Sequence, residues 1–120
     1  MTTTESTREL NATTDHSEGT MECDARTLVQ QIGLRTVMAI SGGRILNTGH
    51  GVILPVAQGY KVVVDLMAGD TYRVRRLFIR GTKVWLRGER TNVYFDELSD
   101  VAYYASCWVS YDAAEWPTKA

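Results

Sequence analysis

The chain has 120 residues, of which 44% are hydrophobic and 22% charged, and its formal net charge is −1. No apolar run approaches the roughly 18 residues of a membrane span, and the N-terminus does not resemble a signal peptide. We therefore expect one cytoplasmic domain with its own hydrophobic core, and not a membrane protein, a disulfide scaffold, a collagen or a multidomain enzyme.

The charge is distributed unevenly along the chain. Residues 1–24 contain six acidic residues and one basic residue, whereas residues 25–120 contain eight acidic and twelve basic residues. Seven of those bases lie within residues 71–91, where Glu89 is the only acid. Such asymmetry predicts an anionic partner, or an acidic tail that shields a basic face.

The predicted domain is flanked by two tails. Residues 1–22 are rich in Thr, Ser and Glu and cannot bury enough apolar surface to offset the entropy cost of ordering, so we predict a disordered tail. The domain is expected over residues 24–110 and a flexible C-terminus over residues 111–120. It should begin with a short helix, Ala25–Ile32, that has Asp24 as its N-cap candidate and stops at Gly33.

The next two segments are predicted to belong to a sheet. Residues 34–41 are rich in β-formers and stop at Gly42-Gly43, which favours a strand. Residues 44–59 contain four Gly or Pro residues around the apolar run Val52–Leu54. We interpret this stretch as a long loop that contains a short edge strand.

Three further strands follow, joined by two tight turns. Tyr60–Leu66 alternates between an apolar and a mixed face, and a three-residue loop at Met67–Gly69 leads into a strand over Asp70–Arg80. Gly81-Thr82 has the residue order of a two-residue type II′ turn and leads into a strand over Lys83–Gly88.

A helix is predicted from the N-cap candidate Asn92 to about Cys107. Its apolar residues recur at helical spacing and form one stripe: Tyr94, Leu98, Val101, Ala105 and Trp108. The expected fold is therefore α+β, with a short N-terminal helix, an antiparallel sheet of four or five strands, and a C-terminal helix packed on one face of the sheet.

The middle hairpin carries the candidate site. The Gly81-Thr82 turn fixes the pairing of Phe78 with Trp85, but strict alternation along the preceding strand would bury Arg76 and expose aliphatic side chains. Burying an unpaired arginine costs several kcal/mol, so we predict a β-bulge near Arg75-Arg76 that turns these cations outward. The resulting surface would consist of Arg73, Arg75, Arg76, Phe78, Arg80, Lys83, Trp85 and Arg87.

Two interpretations of this surface remain open. Cations interleaved with exposed aromatic rings suit single-stranded nucleic acid, since the charges meet phosphates and the rings stack on bases. Alternatively, Phe78 and Trp85 pack against the rest of the chain or a second subunit, and the arginines form a solvated rim or pair with the acidic tail.

No catalytic or metal constellation is evident. The only histidines, His16 and His50, are far apart and lie in segments with little predicted structure. Cys23 and Cys107 have no paired spacing, which argues against a zinc site and fits a reducing cytoplasm. We expect no enzyme activity, no metal and no cofactor.

Five segments have a distinctive order and spacing: Leu34–Arg44, Leu54–Val56, Gly59-Tyr60, Asp70–Tyr72 and Val93–Cys107. Together they resemble a group of small uncharacterised proteins encoded by actinobacteria and their phages, over residues 25–108. The resemblance implies a cytoplasmic accessory protein of a phage or prophage, a class often devoted to binding host factors or nucleic acid. It implies no activity and no catalytic residues.

The leading hypothesis is a non-enzymatic module that binds nucleic acid through the basic aromatic surface. The alternative is a protein-interaction module, either an inhibitor of a host machine or a homodimer joined through the same face. Neither hypothesis involves a membrane.

Overall fold

The computed structural model describes residues 19–116. Within them the helices are α1 (Ala25–Ile32), α2 (Leu34–Ser41) and α3 (Leu98–Ser106), and a short 3-10 helix spans Ala113–Glu115. The strands are β1 (Leu46–Asn47), β2 (Gly51–Pro55), β3 (Tyr60–Met67), β4 (Thr71–Arg80) and β5 (Lys83–Val93). Most of the predicted acidic tail, including His16, and the last four residues lie outside the described range.

The five strands form one antiparallel sheet in the order β1-β2-β3-β4-β5, so each strand pairs with its neighbour in the chain. The three helices pack on one face of this sheet, which we call the helix face. The predicted α+β class is confirmed. The core between the two layers combines buried helix residues such as Leu28, Val37 and Val101 with strand residues such as Val64 and Val74.

The first helix forms over the predicted range, but the segment that follows it is not the predicted strand. Residues 34–41 form α2 because Val37, Ile40 and Ser41 recur on one side of a helix and are buried. Gly42 takes a left-handed conformation, with φ of 67°, and its N–H bonds to the carbonyl of Met38. A glycine pair ends a helix as readily as a strand, so the β-forming composition misled the prediction.

The hairpin turns keep their predicted form. Gly81 has a positive φ and Arg80 pairs with Lys83, which confirms the two-residue turn. The three-residue loop between β3 and β4 is shifted by one residue, to 68–70, because Met67 pairs with Thr71. The glycine-rich stretch contains the predicted short strand as β2, which lies next to the two-residue strand β1.

The junction between β5 and α3 differs from the prediction. The strand continues to Val93 and the helix begins only at Leu98. Asn92 has a φ of 56° within the strand and is not an N-cap. The backbone N–H of Tyr94 bonds to the Glu97 carboxylate, so Tyr94 lies in the turn before the helix and is exposed.

A register shift lies directly after Arg76, near the predicted bulge, but its extra residue is in β5, so the prediction that a bulge turns Arg75 and Arg76 outward is wrong. The register of β3 with β4 runs without a break from the Tyr60–Phe78 pair to the Met67–Thr71 pair. Both irregularities lie between β4 and β5, and each adds its extra residue to β5. Alternation therefore continues along β4 and sends Arg76 to the helix face, while Arg73 and Arg75 point to the opposite face, which we call the open face.

Core packing continues past residue 110, the predicted end of the domain. Trp116 is 2% exposed and belongs to the main core. A Cβ on Gly88 would lie 2.9 Å from its indole ring, so only glycine lets β5 approach the ring this closely. No helix among residues 19–116 is long and apolar enough to cross a membrane.

Candidate nucleic-acid interface

The eight residues of the predicted surface lie in three different places. Arg76 is buried on the helix face, and Arg73 and Arg75 are buried on the open face. The other five lie together near the turn between β4 and β5: Phe78, Arg80, Lys83, Trp85 and Arg87. The structure therefore brings five of the eight predicted residues together and places three arginines apart from them.

The rings near this turn form a continuous cluster on the helix face, which we call the aromatic corner: Tyr60, Phe78, Trp85 and Trp108. Phe78 pairs directly with Tyr60 on one side and with Trp85 on the other, with ring centroids 5.0 Å and 5.7 Å apart. Trp108 stacks on Tyr60 at 4.4 Å with an interplanar angle of 9°. All four side chains are partly exposed, so the core does not enclose the rings.

A glycine allows the chain to pass close to this cluster. Gly59 has a φ of 89° and precedes the first residue of β3. A Cβ there would lie 2.8 Å from the carbonyl oxygen of Ile79 and 3.3 Å from the Phe78 ring. The backbone of the turn before Tyr60 is thus held against β4, where the Ile79 N–H donates to the Gly59 carbonyl at 2.9 Å.

Three cations border the aromatic corner. The Arg87 guanidinium lies 5.3 Å from the centre of the Phe78 ring, a distance that allows a cation–π contact. Arg87 is the extra residue of the bulge in β5, since Arg76 pairs with Gly88 and Leu77 pairs with Leu86. Arg80 and Lys83 flank the turn and are exposed. Within residues 19–116, none of the three forms an ion pair.

Arg76, predicted to face outward, is 4% exposed and holds the end of α3. Its Nε donates to the carbonyl of Ala105 at 2.8 Å, and its Nη2 donates to that of Tyr111 at 2.5 Å. Longer contacts from Nη2 reach Tyr104 and Cys107. Carbonyls at a helix C-terminus carry partial negative charge, so they satisfy a cation that the prediction treated as unpaired. Burial still lowers the pKa of Arg76, although the charge of Asp112 opposes the shift.

Arg73 and Arg75, also predicted to face outward, share a buried carboxylate on the open face. Asp65 has no exposed surface, and its Oδ2 accepts from Nη2 of Arg73 at 2.9 Å and from Nη2 of Arg75 at 3.0 Å. His50 Nδ1 lies 3.1 Å from the other oxygen. Burial lowers the pKa of Arg75, and the Asp65 charge opposes this. Arg73 and Arg75 are therefore buried in a charged network with Asp65 and lie apart from the five residues near the turn.

Two members of the aromatic corner were absent from the predicted site. Tyr60 was predictable, because the register set by the loop between β3 and β4 places it opposite Phe78. Trp108 was assigned to the apolar stripe of the last helix, but α3 ends at Ser106 and Trp108 lies in the turn that follows. No local pattern signals that this turn brings its indole onto Tyr60.

The described residues show no metal centre: between residues 19 and 116, no three His, Cys, Asp or Glu side chains lie close enough to hold an ion. No protein-family model, curated protein or solved structure matches the chain. The phage or prophage context implied by the resemblance therefore stays a prediction.

Proposed function

We propose that the protein binds single-stranded nucleic acid through the aromatic corner and its three bordering cations. The observation that supports this proposal is the proximity of partly exposed rings to cations that form no ion pair within the described chain. Single strands are bound where flat rings stack on bases and positive charges meet the phosphates. In this proposal the protein acts by binding and not by catalysis.

The rings do not contribute equally. Trp108 covers one face of Tyr60, so these two rings mainly support the cluster. Trp85 lies at the other end of the row, where its ring contact among the described residues is with Phe78, at an interplanar angle of 35°. We expect Trp85 to be the main stacking surface. Phe78, with Arg87 over its ring, would provide the second.

The cations set the expected salt dependence. Arg80, Lys83 and Arg87 offer at most three phosphate contacts. With about 0.7 counterions released per contact on a single strand, a plot of log K against log salt should have a slope of about −2. Replacing Arg80 and Lys83 by glutamine should reduce this slope to about −0.7.

The test is a fluorescence titration of the full chain with a pyrimidine oligonucleotide at fixed salt. Each stacked base contributes roughly 1–3 kcal/mol, so Phe78→Ala/Trp85→Ala should weaken binding by at least about tenfold. The matched control is Tyr94→Ala/Phe95→Ala, which removes two exposed aromatic side chains outside the corner. Equal affinities of the two variants would contradict the proposal.

A second observation favours the alternative of a protein partner. An apolar groove of about 680 Å³ lies between α1 and β1, lined in part by Val29, Leu34 and Ile45. Leu34 is 65% exposed at this groove, and the neighbouring Leu46 is also exposed. Apolar surfaces with a polar border are typical of protein-interaction sites. If Leu34→Glu abolishes binding of a partner while oligonucleotide affinity is unchanged, the groove is a separate protein site.

The homodimer alternative uses the aromatic corner itself. Sedimentation of the full chain over a range of concentrations tests it, because a dimer joined through the rings should dissociate in Phe78→Ala/Trp85→Ala. A monomer at all concentrations would exclude this alternative and leave the corner available to a ligand.

A further inference from the structure

The centre of the open face is buried although no described helix lies on it. Val63, Leu77 and Leu86 are each 3% exposed and form a second apolar cluster with Ile53 and Val84, all of them strand residues. The helices pack on the opposite face of the sheet. One face of an antiparallel sheet is commonly solvated when no layer covers it, so burial of this degree indicates a cover.

The charged side chains of this face lead to the same conclusion. Arg75 is 2% exposed, and the Asp65 carboxylate that it contacts is fully buried. Arginine is almost never buried to this extent unless it is paired. With Arg73 and the partly buried Lys61 on the same face, the basic side chains outnumber the acidic Asp65 and Glu89. A cover for this face should therefore carry negative charge and some apolar surface.

The described structure begins at the end of β3, where residues 19–21 bond to the backbone of that strand. The Met21 N–H donates to the Leu66 carbonyl at 2.8 Å, and the Ala68 N–H donates to the Gly19 carbonyl at 3.1 Å. Gly19 and Met21 therefore lie beside the end of β3, the strand that also carries Asp65. Eighteen residues can span up to about 60 Å, whereas the ten residues of β4 extend about 33 Å. Residues 1–18 are long enough to cross the sheet.

The composition of residues 1–18 complements the face. They contain four acidic residues, Glu5, Glu9, Asp15 and Glu18, against the single base Arg8. Leu10 is the only large aliphatic side chain between residues 2 and 18. We propose that residues 1–18 form the cover of the open face, with Leu10 over the apolar cluster and carboxylates directed at Arg73 and Arg75. The acidic segment would then keep other polyanions away from these arginines, on the face opposite the aromatic corner.

The test places a nitroxide on the segment and measures paramagnetic broadening in the full chain. Thr13→Cys is labelled in a Cys23→Ser/Cys107→Ser background. The methyl signals of Val63, Leu77 and Leu86 should lose intensity relative to the reduced label, whereas those of Val101 on the helix face should not. Undiminished open-face signals, or losses confined to the helix face, would overturn the proposal.

Two further measurements separate the remaining outcomes. Mixing spin-labelled chain with isotope-enriched chain that carries no spin label tests for a second copy. Broadening between chains would assign the cover to a dimer and overturn the proposal.

Replacing the four acids of the segment by Gln or Asn should shift the open-face methyl signals and reduce the broadening. The control Glu22→Gln/Asp24→Asn should do neither, and equal effects of the two variants would contradict the proposed charge pairing.

Discussion

The two faces of the sheet each bury arginines from β4, and they neutralise them by different means. On the helix face, Arg76 is held by backbone carbonyls at the end of α3. On the open face, Arg73 and Arg75 share the carboxylate of Asp65. Arg76 thus bonds to backbone carbonyls at and after the end of a helix, whereas the open-face pair shares an acidic side chain. A dense run of basic residues therefore does not by itself indicate an exposed basic surface.

The turn end of the same hairpin shows the opposite behaviour. Arg80 and Lys83 are exposed and form no ion pair within the described range. Only this end of the hairpin combines available charge with partly exposed rings. The comparison therefore confines the candidate interface to the turn end and assigns the centre of β4 to the stability of the fold.

The largest effect should come from removing the carboxylate of the open face. Asp65→Asn leaves two buried guanidiniums without the negative charge that they share, which should destabilise the protein by about 4 kcal/mol. Urea denaturation measures this. The control Asp70→Asn changes an exposed acid in the loop between β3 and β4. A loss below about 1 kcal/mol in Asp65→Asn would contradict the structural role of the network.

Arg76→Met should lower the free energy of unfolding by less, about 3 kcal/mol. It leaves neutral carbonyls without donors, but it leaves no buried charge without a partner. The exposed Arg80→Met is the matched control and should stay within about 0.5 kcal/mol of the parent protein. The same denaturation series compares the two. Similar losses for both arginines would mean that the contacts to α3 add nothing to stability.

At the turn end, Gly59→Ala tests the close approach beneath Phe78. The matched control is Gly69→Ala, because the two glycines have nearly equal φ angles of 89° and 91° but a Cβ at Gly69 meets no atom within 4 Å. The strain of a positive φ is the same in both variants. Gly59→Ala should therefore be less stable than Gly69→Ala by about 2 kcal/mol, because of the added clash. Equal stabilities would show that the turn shifts freely and does not hold the ring.

The smallest effect concerns pH at the edge of the core. Burial, with the charge of Asp24, raises the pKa of the Cys23 thiol above its ordinary value of 9.0. Burial also raises the pKa of Tyr72 above 10.0, with smaller contributions from Cys23 and Asp70. Both groups hold their protons more tightly in the folded protein than in the unfolded chain. Their stabilising contribution is therefore complete below pH 9.0 and is lost as the pH rises through the folded pKa values.

The midpoint of urea unfolding, measured from neutral to alkaline pH, checks this dependence. Cys23→Ser/Tyr72→Phe should show a smaller loss of stability at alkaline pH than the parent protein. If the two curves fall in parallel, other groups account for the alkaline loss.

The parts of the fold that follow from local geometry were predictable. The two-residue turn determined the pairs from Arg80–Lys83 to Leu77–Leu86, and the alternation in β3 separated its two faces. The prediction failed where a distant partner decides the outcome. Arg76 is buried because carbonyls about 30 residues away accept its hydrogen bonds, and residues 34–41 are helical because they pack against α3 and β2.

The candidate site was only partly predictable for the same reason. The turn brought Phe78 and Trp85 together, and the register of β3 with β4 would also have supplied Tyr60. The bulge that places Arg87 beside Phe78 lies in β5 next to Gly88. A glycine inside a strand often marks a bulge, but the prediction took Gly88 as the end of the strand. Trp108 depends on how α3 ends, which its own sequence does not determine.

The hydrogen bonds of Arg76 also connect the interior to the candidate interface. This one side chain reaches the carbonyls of Cys107 and Tyr111, which bracket the segment that carries Trp108. Trp108 in turn lies flat against Tyr60. The buried Arg76 guanidinium therefore fixes the segment that positions Trp108 in the aromatic corner. We expect Arg76→Lys to loosen the stacking of Trp108 on Tyr60, although no surface residue is changed.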